Sequence, residues 1–142
     1  YRIIPKAILY SLNNKKFPLE GGGYAKKSFM HADDLANCIF KILHSRHLGE
    51  IFNAGVNKPT TMRNIVKIIA KNTSKDFNDF VKVTAPRVSE DAQYWVNSSK
   101  ANKKLNWYPT IDLETGIIDC IQWVKKYNNE LITQSNEFVL KA

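Results

Sequence analysis

The sequence is poor in the residues that build compact catalytic or metal centres. Its two cysteines, Cys38 and Cys120, stand far apart with no CxxC and no Cys/His cluster near either. Neither a zinc site nor a disulfide framework is suggested, and both read as buried thiols. The three histidines, His31, His44 and His47, are scattered and carry no catalytic or ligand spacing. There is no GxGxxG, Walker, HExxH or GxSxG pattern, so no catalytic or metal residue is expected from motifs. No apolar stretch approaches the roughly 20 residues needed to cross a bilayer, because Lys, Asn or Asp interrupts each one. A soluble chain with no membrane partner is expected.

Acidic residues are also few, 13 against 21 Lys plus Arg, which leaves a net charge of +8 over 142 residues. Such an excess favours an anionic partner. Most lysines occur singly or in pairs on apparent helix exteriors (Lys15-Lys16, Lys103-Lys104, Lys125-Lys126), the pattern of a solvated face. With 44% hydrophobic and 24% charged residues the composition is globular, which excludes disorder. The opening Tyr1-Arg2-Ile3-Ile4-Pro5 has neither Met nor an export signal and reads as the middle of a structural element. The chain is therefore expected to be a piece of a longer protein, with a cytoplasmic location as the default. The sequons at Asn72 and Asn97 are then chance matches.

Periodicity predicts a mixed α/β fold. Ile3, Ile4, Ala7, Ile8 and Leu12 keep helical spacing, and Phe17-Pro18-Leu19 reads as a short extended piece before a loop at Gly21-Gly22-Gly23. Lys27 to Ala32 reads as a strand. Asp33-Asp34 then open a helix, where their charge suits the dipole, with Leu35, Cys38, Ile39, Ile42 and Leu43 on its core side. Glu50 to Gly55 reads as a buried strand. Thr60-Thr61 cap a helix with Met62, Ile65, Val66, Ile68, Ile69 and Thr73 on one face and Arg63, Asn64, Lys67 and Lys71 on the other.

Val81 to Thr84 and Tyr94 to Val96 are strand candidates, separated by the irregular Ala85 to Asp91. Asn97-Ser98-Ser99 cap a small helix ending near Leu105. Asp112 caps a last helix with Leu113, Ile117, Ile118, Ile121 and Val124 inward, and Trp107 and Trp123 read as packing residues. After Asn128 the pattern fades apart from Leu131, Ile132, Phe138, Val139 and Leu140. Four or five strands make only a small mixed sheet, one that a neighbouring domain would have to cover in part.

The residues that carry charge next to backbone breaks are Arg2, Lys27 and Arg87. A diphosphate needs several convergent donors, and guanidinium offers a two-pronged fork that ammonium lacks. The plain alternative is three surface charges. Asn53 either closes a turn or meets a ligand, and Asp33 and Asp34 read as helix-terminal carboxylates rather than an acid/base pair.

The order of these pieces resembles the C-terminal, substrate-binding portion of the extended short-chain dehydrogenase/reductase family. The pieces are those of its NAD-dependent sugar-nucleotide 4,6-dehydratases, of the dTDP-glucose 4,6-dehydratase kind, and epimerases. They are Arg2-Ile3-Ile4-Pro5, Pro18-Leu19-x-Gly21-x-Gly23, Lys27 to Asp34, Gly49 to Gly55, and Pro86-Arg87 with Asp91. Ser99-Lys100-Ala101, Leu105, Trp107, Pro109 and Leu113-Glu114-x-Gly116-Ile117 complete the series.

The resemblance implies a nucleotide-sugar binding domain over residues 1–127 and a C-terminal tail over 128–142. Arg2 and the Pro18, Leu19, Glu20 and Gly21 loop then border the nucleotide, Lys27 and Arg87 contact the diphosphate, and Asn53 lies near the nucleoside or phosphates. Lys27 stands where an arginine is usual, and Glu20 where an aromatic residue or His often stacks on a base. The resemblance also implies a partner Rossmann domain, absent from this chain, that holds NAD and supplies a Tyr-x-x-x-Lys pair, and a parent enzyme that forms homodimers.

This chain by itself is then expected to hold no cofactor. Two other classes remain: a stand-alone non-catalytic binding or scaffolding domain, and a basic nucleic-acid binder. The second is disfavoured because aromatics are not interleaved with the lysines.

Overall fold

The computed structural model of the protein describes residues 2–47, 49–88 and 91–133. Along the chain run α1 (Ile3–Leu12), β1 (Phe17–Glu20), β2 (Lys26–Lys27), α2 (Ala32–Leu43), β3 (Thr60–Thr61) and α3 (Met62–Asn72). They are followed by α4 (Phe77–Phe80), β4 (Val81–Thr84), β5 (Gln93–Tyr94), α5 (Ser99–Leu105), α6 (Leu113–Lys126) and α7 (Asn128–Ile132). A 3-10 turn over Gly21–Gly23 follows β1. The class is α/β, as the periodicity predicts. The anticipated Phe138-Val139-Leu140 stub and the Ser89-Glu90 part of the polar loop lie outside the described residues.

The chain divides into two compact units. One comprises Tyr1–Tyr24, Met62–Glu90 and Ile117–Ala142, the other Ala25–Thr61 and Asp91–Gly116. The strands accordingly form two small sheets, β1-β4 and β3-β2-β5, rather than one.

In the first unit, Ala7 and Ile8 of α1 and Ile65, Val66 and Ile69 of α3 are fully buried, the stripes that their three- and four-residue spacing demands. A polar contact fixes the register between these helices. The Thr73 hydroxyl spends its one proton on the Ile69 carbonyl at 2.7 Å, so Ser11 donates to Thr73 Oγ1 at 2.6 Å. β1 alternates Phe17 and Leu19 inward with Glu20 outward, and Phe17 packs on Phe80 and edge-on against Tyr10. Ile117, Ile121 and Val124 of α6 are buried. Ile118 lies off that stripe and is exposed, contrary to expectation.

Three features of this unit differ from the sequence reading. Helix α4 appears where none is expected, nucleated by Asp76 accepting the amide hydrogens of Asn78 and Asp79. Trp123 is half-exposed and meets the Tyr127 ring in a tilted contact, centroids 5.4 Å apart, rather than packing inside. The start of the tail forms α7, tied to the end of α1 by Asn13 donating to Asn128 at 3.0 Å.

The second unit is built around Trp107, which is fully buried with Cys38, Ala101 and Leu105, while Met30, Ile42, Phe52 and Ala54 pack around them. Strand β2 pairs antiparallel with β3 and parallel with β5, Lys27 lying opposite Thr60 and Tyr94. This strand ends at Lys27, short of the expected Ala32: the Ser28 amide still donates to the Tyr94 carbonyl at 3.3 Å, but towards Val56 the bonding is done by the Ser28 hydroxyl. It donates to the Val56 carbonyl at 2.7 Å and accepts from the Val56 amide at 3.1 Å.

The expected strand over Glu50 to Gly55 is absent. Two of its carbonyls meet side chains instead of a ladder: Lys100 donates to the Ile51 carbonyl and Ser98 to that of Gly55, each at 2.8 Å. Ile51 is 84% exposed. Of the expected core side of α2, Cys38 is buried, while Leu35, Ile39 and Leu43 face solvent beside Phe40. Cys120, in the first unit, is only half-buried.

Candidate functional site

β1 and β4 run parallel in register, Glu20 opposite Thr84, so the chain leaves both strands at the same end. Beyond β1 the backbone turns at once through Gly21, whose φ of +54° lies in the left-handed region. A Cβ at this position would stand 3.1 Å from Pro86 Cβ and 3.3 Å from Pro86 Cα. Its absence lets the loop after β4 close onto the end of β1. The next residue, Arg87, then places Nη2 2.8 Å from Glu20 Oε2, with both side chains open to solvent.

The turn is braced from behind. Gly23, at φ +73°, leaves no room for a side chain, because its Cβ would lie 2.8 Å from both the Arg63 amide nitrogen and Leu19 Cδ1. Arg63 donates from Nη1 to the Gly22 carbonyl at 3.4 Å, and its guanidinium lies 4.7 Å above the Phe77 ring. Sequence reasoning leaves Arg63 on the solvent side of a helix. Its partners at Gly22 and Phe77 are distant in the chain, so no local pattern marks it.

Of the expected site residues, the structure brings Glu20, Gly21 and Arg87 together. Leu19 is buried beneath the turn and Pro18 is half-buried in β1. Arg2 is exposed at the start of α1, its carbonyl accepting from the Lys6 amide at 3.2 Å. Lys27 and Asn53 belong to the second unit. Lys27 is half-buried in the central strand of the three-stranded sheet. Asn53 is exposed on the strandless stretch between Phe52 and Ala54.

The other titratable groups have local work. His31 caps α2, accepting from the Asp33 amide at 3.2 Å. His44 bonds the Phe40 carbonyl and His47 bonds Glu50. Asp33 is exposed, but Asp34 is buried and accepts from Thr110 N, Thr110 Oγ1 and Ile111 N at 2.9 to 3.1 Å. Burial alone would raise its pKa; those bonds outweigh burial and hold it below the ordinary carboxylate value. Hydrogen bonds from Lys104 and Lys100 bring Glu50 down to about 2. Among the described residues no group of three or more His, Cys, Asp and Glu could hold a metal ion, and no helix is long and apolar enough to cross a membrane.

The profile of the GDP-mannose 4,6 dehydratase family matches residues 1–120. The chain belongs to this family. It is thereby an extended short-chain dehydrogenase/reductase of the dehydratase and epimerase group, as the order of its motifs implies.

A dTDP-glucose 4,6-dehydratase of Mycolicibacterium smegmatis is 30% identical over 129 residues, 87% of this chain and 38% of that protein. A trifunctional UDP-glucose 4,6-dehydratase, 3,5-epimerase and reductase of Arabidopsis thaliana is 26% identical over 122 residues, 86% of this chain and 18% of that one. Among solved structures, the dTDP-glucose 4,6-dehydratase of Bacillus anthracis in complex with NAD superimposes with a TM-score of 0.80 at 28% identity. That match covers 88% of this chain and 39% of the other. The chain thus spans less than two fifths of the length of each of these relatives.

Proposed function

We propose that this chain is the substrate-binding part of a sugar-nucleotide 4,6-dehydratase or epimerase, with Arg87 gripping the diphosphate of a nucleoside diphosphate-sugar. The observation that carries this reading is the juncture of β1 and β4. Open parallel sheets bind ligands outside the carboxyl ends of their strands. Here that end presents a guanidinium fork beside a tight glycine turn. Arg2, Pro18, Leu19 and Gly21 border the nucleotide in this reading, and Lys27 and Asn53 are proposed as further ligand contacts.

The residues present do not fit NAD. The turn over Gly21–Gly23 leads into β2 rather than a helix, so no helix N-terminus stands behind it to receive a dinucleotide pyrophosphate. The sequence also contains no Tyr-x-x-x-Lys. Cofactor and proton transfer belong to a Rossmann domain, whose place the apolar face of Leu35, Ile39, Phe40 and Leu43 on α2 supports. Residues 1–127 then make the binding domain. The cytoplasmic location and homodimeric parent are part of the same proposal.

The test is calorimetric titration of nucleoside diphosphate-sugars into the chain and its Arg87→Ala variant. The substitution weakens binding by about 1.5–3 kcal/mol, the worth of a charged hydrogen bond. An unchanged affinity in a folded variant would remove Arg87 from the site. A stand-alone binding domain makes the same contact but gains no turnover when supplied with an NAD-loaded Rossmann domain of a relative. A steep loss of polynucleotide binding with salt would instead favour the nucleic-acid reading.

A further inference from the structure

Glu20 has a different task from the base-stacking its position implies. It is the outward-facing last residue of β1, and its carboxylate already occupies the fork of Arg87 at 2.8 Å. We infer that Glu20 is an internal stand-in for the diphosphate, an anion that holds Arg87 over the end of β1 and that an incoming ligand must displace. The inference rests on the reading of Arg87 as the diphosphate contact.

The geometry supports exchange rather than a permanent lock. Glu20 and Arg87 are both on the open end of the parallel pair, 45% and 63% exposed, so neither is enclosed by packing. An exposed ion pair is weak and easily exchanged. The backbone beneath it is fixed: Glu20 is in register with Thr84, and Pro86 leaves little room for a side chain on Gly21. Displacement therefore costs a side-chain rotation and no movement of the strands. A carboxylate also offers one negative charge where a diphosphate offers at least two. The exchange is uphill for a neutral nucleoside and downhill for a diphosphate, so the pair selects by ligand charge. Sequence reasoning assigns Glu20 to the nucleotide's border because it has no means of pairing residue 20 with residue 87.

The experiment is a chemical-shift titration of the 142-residue chain with inorganic pyrophosphate, uridine diphosphate and uridine at fixed ionic strength. It compares the natural protein with Glu20→Gln, Arg87→Ala and the double variant. Glu20→Gln is expected to tighten pyrophosphate and uridine diphosphate about two- to fivefold, the scale of an exposed ion pair, and to leave uridine unchanged. In the Arg87→Ala background the gain should disappear.

If Glu20→Gln binds pyrophosphate no better than the natural protein, the stand-in role is overturned, and weaker binding would make Glu20 a direct ligand contact. A gain that survives undiminished without Arg87 also overturns it, since simple charge repulsion would then suffice. The underlying reading fails separately: it falls if Arg87→Ala alone leaves uridine diphosphate binding unchanged. If Arg87→Ala weakens binding while Glu20→Gln does nothing, only the exchange is lost.

Discussion

The indole nitrogen of Trp107 donates to the backbone carbonyl of Asp34 at 3.1 Å, while the Asp34 carboxylate accepts from the amides of Thr110 and Ile111, three and four residues further along the chain. One buried aspartate thus ties the first turn of α2 to the segment after α5. Replacing it with asparagine turns one acceptor oxygen into a donor facing a donor. Asp34→Asn should destabilise the protein by about 1–3 kcal/mol in urea unfolding at neutral pH. The pKa of Asp34 is depressed, so its stabilisation is complete above the ordinary value of 3.8 and lost as pH falls through the lower folded value. Acid unfolding of the variant should lack that component.

Glu50 gives a sharper titration. Its carboxylate, held by Lys104 and Lys100 at 2.8 and 2.9 Å, should protonate at about pH 2 in a carboxyl-carbon NMR titration. Lys104→Ala should move it toward 4.5. The stability linked to this group is present above about 4.5 and lost as pH drops through 2, the direction required when the folded pKa is the lower one.

Gly21 is where the loop after β4 closes on the end of β1. Gly21→Ala sets a methyl group 3.1 Å from Pro86 on a left-handed backbone. A loss of about 1–3 kcal/mol in stability is expected. A larger proportional loss of diphosphate affinity should accompany it as the Arg87 loop is pushed away from β1. Natural affinity in the variant would show that the two loops need not touch.

Arg63 offers a test of the brace. Arg63→Ala removes the bond to the Gly22 carbonyl and the stack on Phe77. Amide hydrogen exchange at Gly22 and Gly23 should accelerate several-fold, with a global destabilisation of only about 0.5–1 kcal/mol. Lysine at this position should restore part of the ring contact but not the slow exchange.

The two thiols should differ in rate, not in kind. Burial raises the pKa of both Cys38 and Cys120, so each should label with a disulfide reagent at pH 8 more slowly than a free thiol. Cys120, only half-buried, should react first, and Cys38 only when its unit opens.

The helices were legible because their stripes recur every three or four residues, and α1, α3 and α6 begin at Ile3, Met62 and Leu113 as that rhythm predicts. The stretch from Glu50 to Gly55 misleads because its composition is that of a strand, while Lys100 and Ser98 satisfy two of its carbonyls from across the second unit. Composition cannot distinguish those two fates. At the site, Arg87 and the glycine turn stand out locally as a cation and a backbone break. The pairing of Arg87 with Glu20 and the grip of Arg63 on Gly22 depend on parallel pairing and long-range closure, which carry no spacing along the chain.

The first unit is assembled from three separate stretches, with the second unit's two stretches threaded between them. No contiguous piece cut from this protein contains the whole of the first unit. The contact between Ser11 and Thr73 already spans 62 residues, and such closures set the pace of folding. The end of the β1-β4 pair, the binding surface in the proposed reading, therefore exists only once both strands have met. Capture of an anionic ligand by a newly made chain would then report that this pairing is complete.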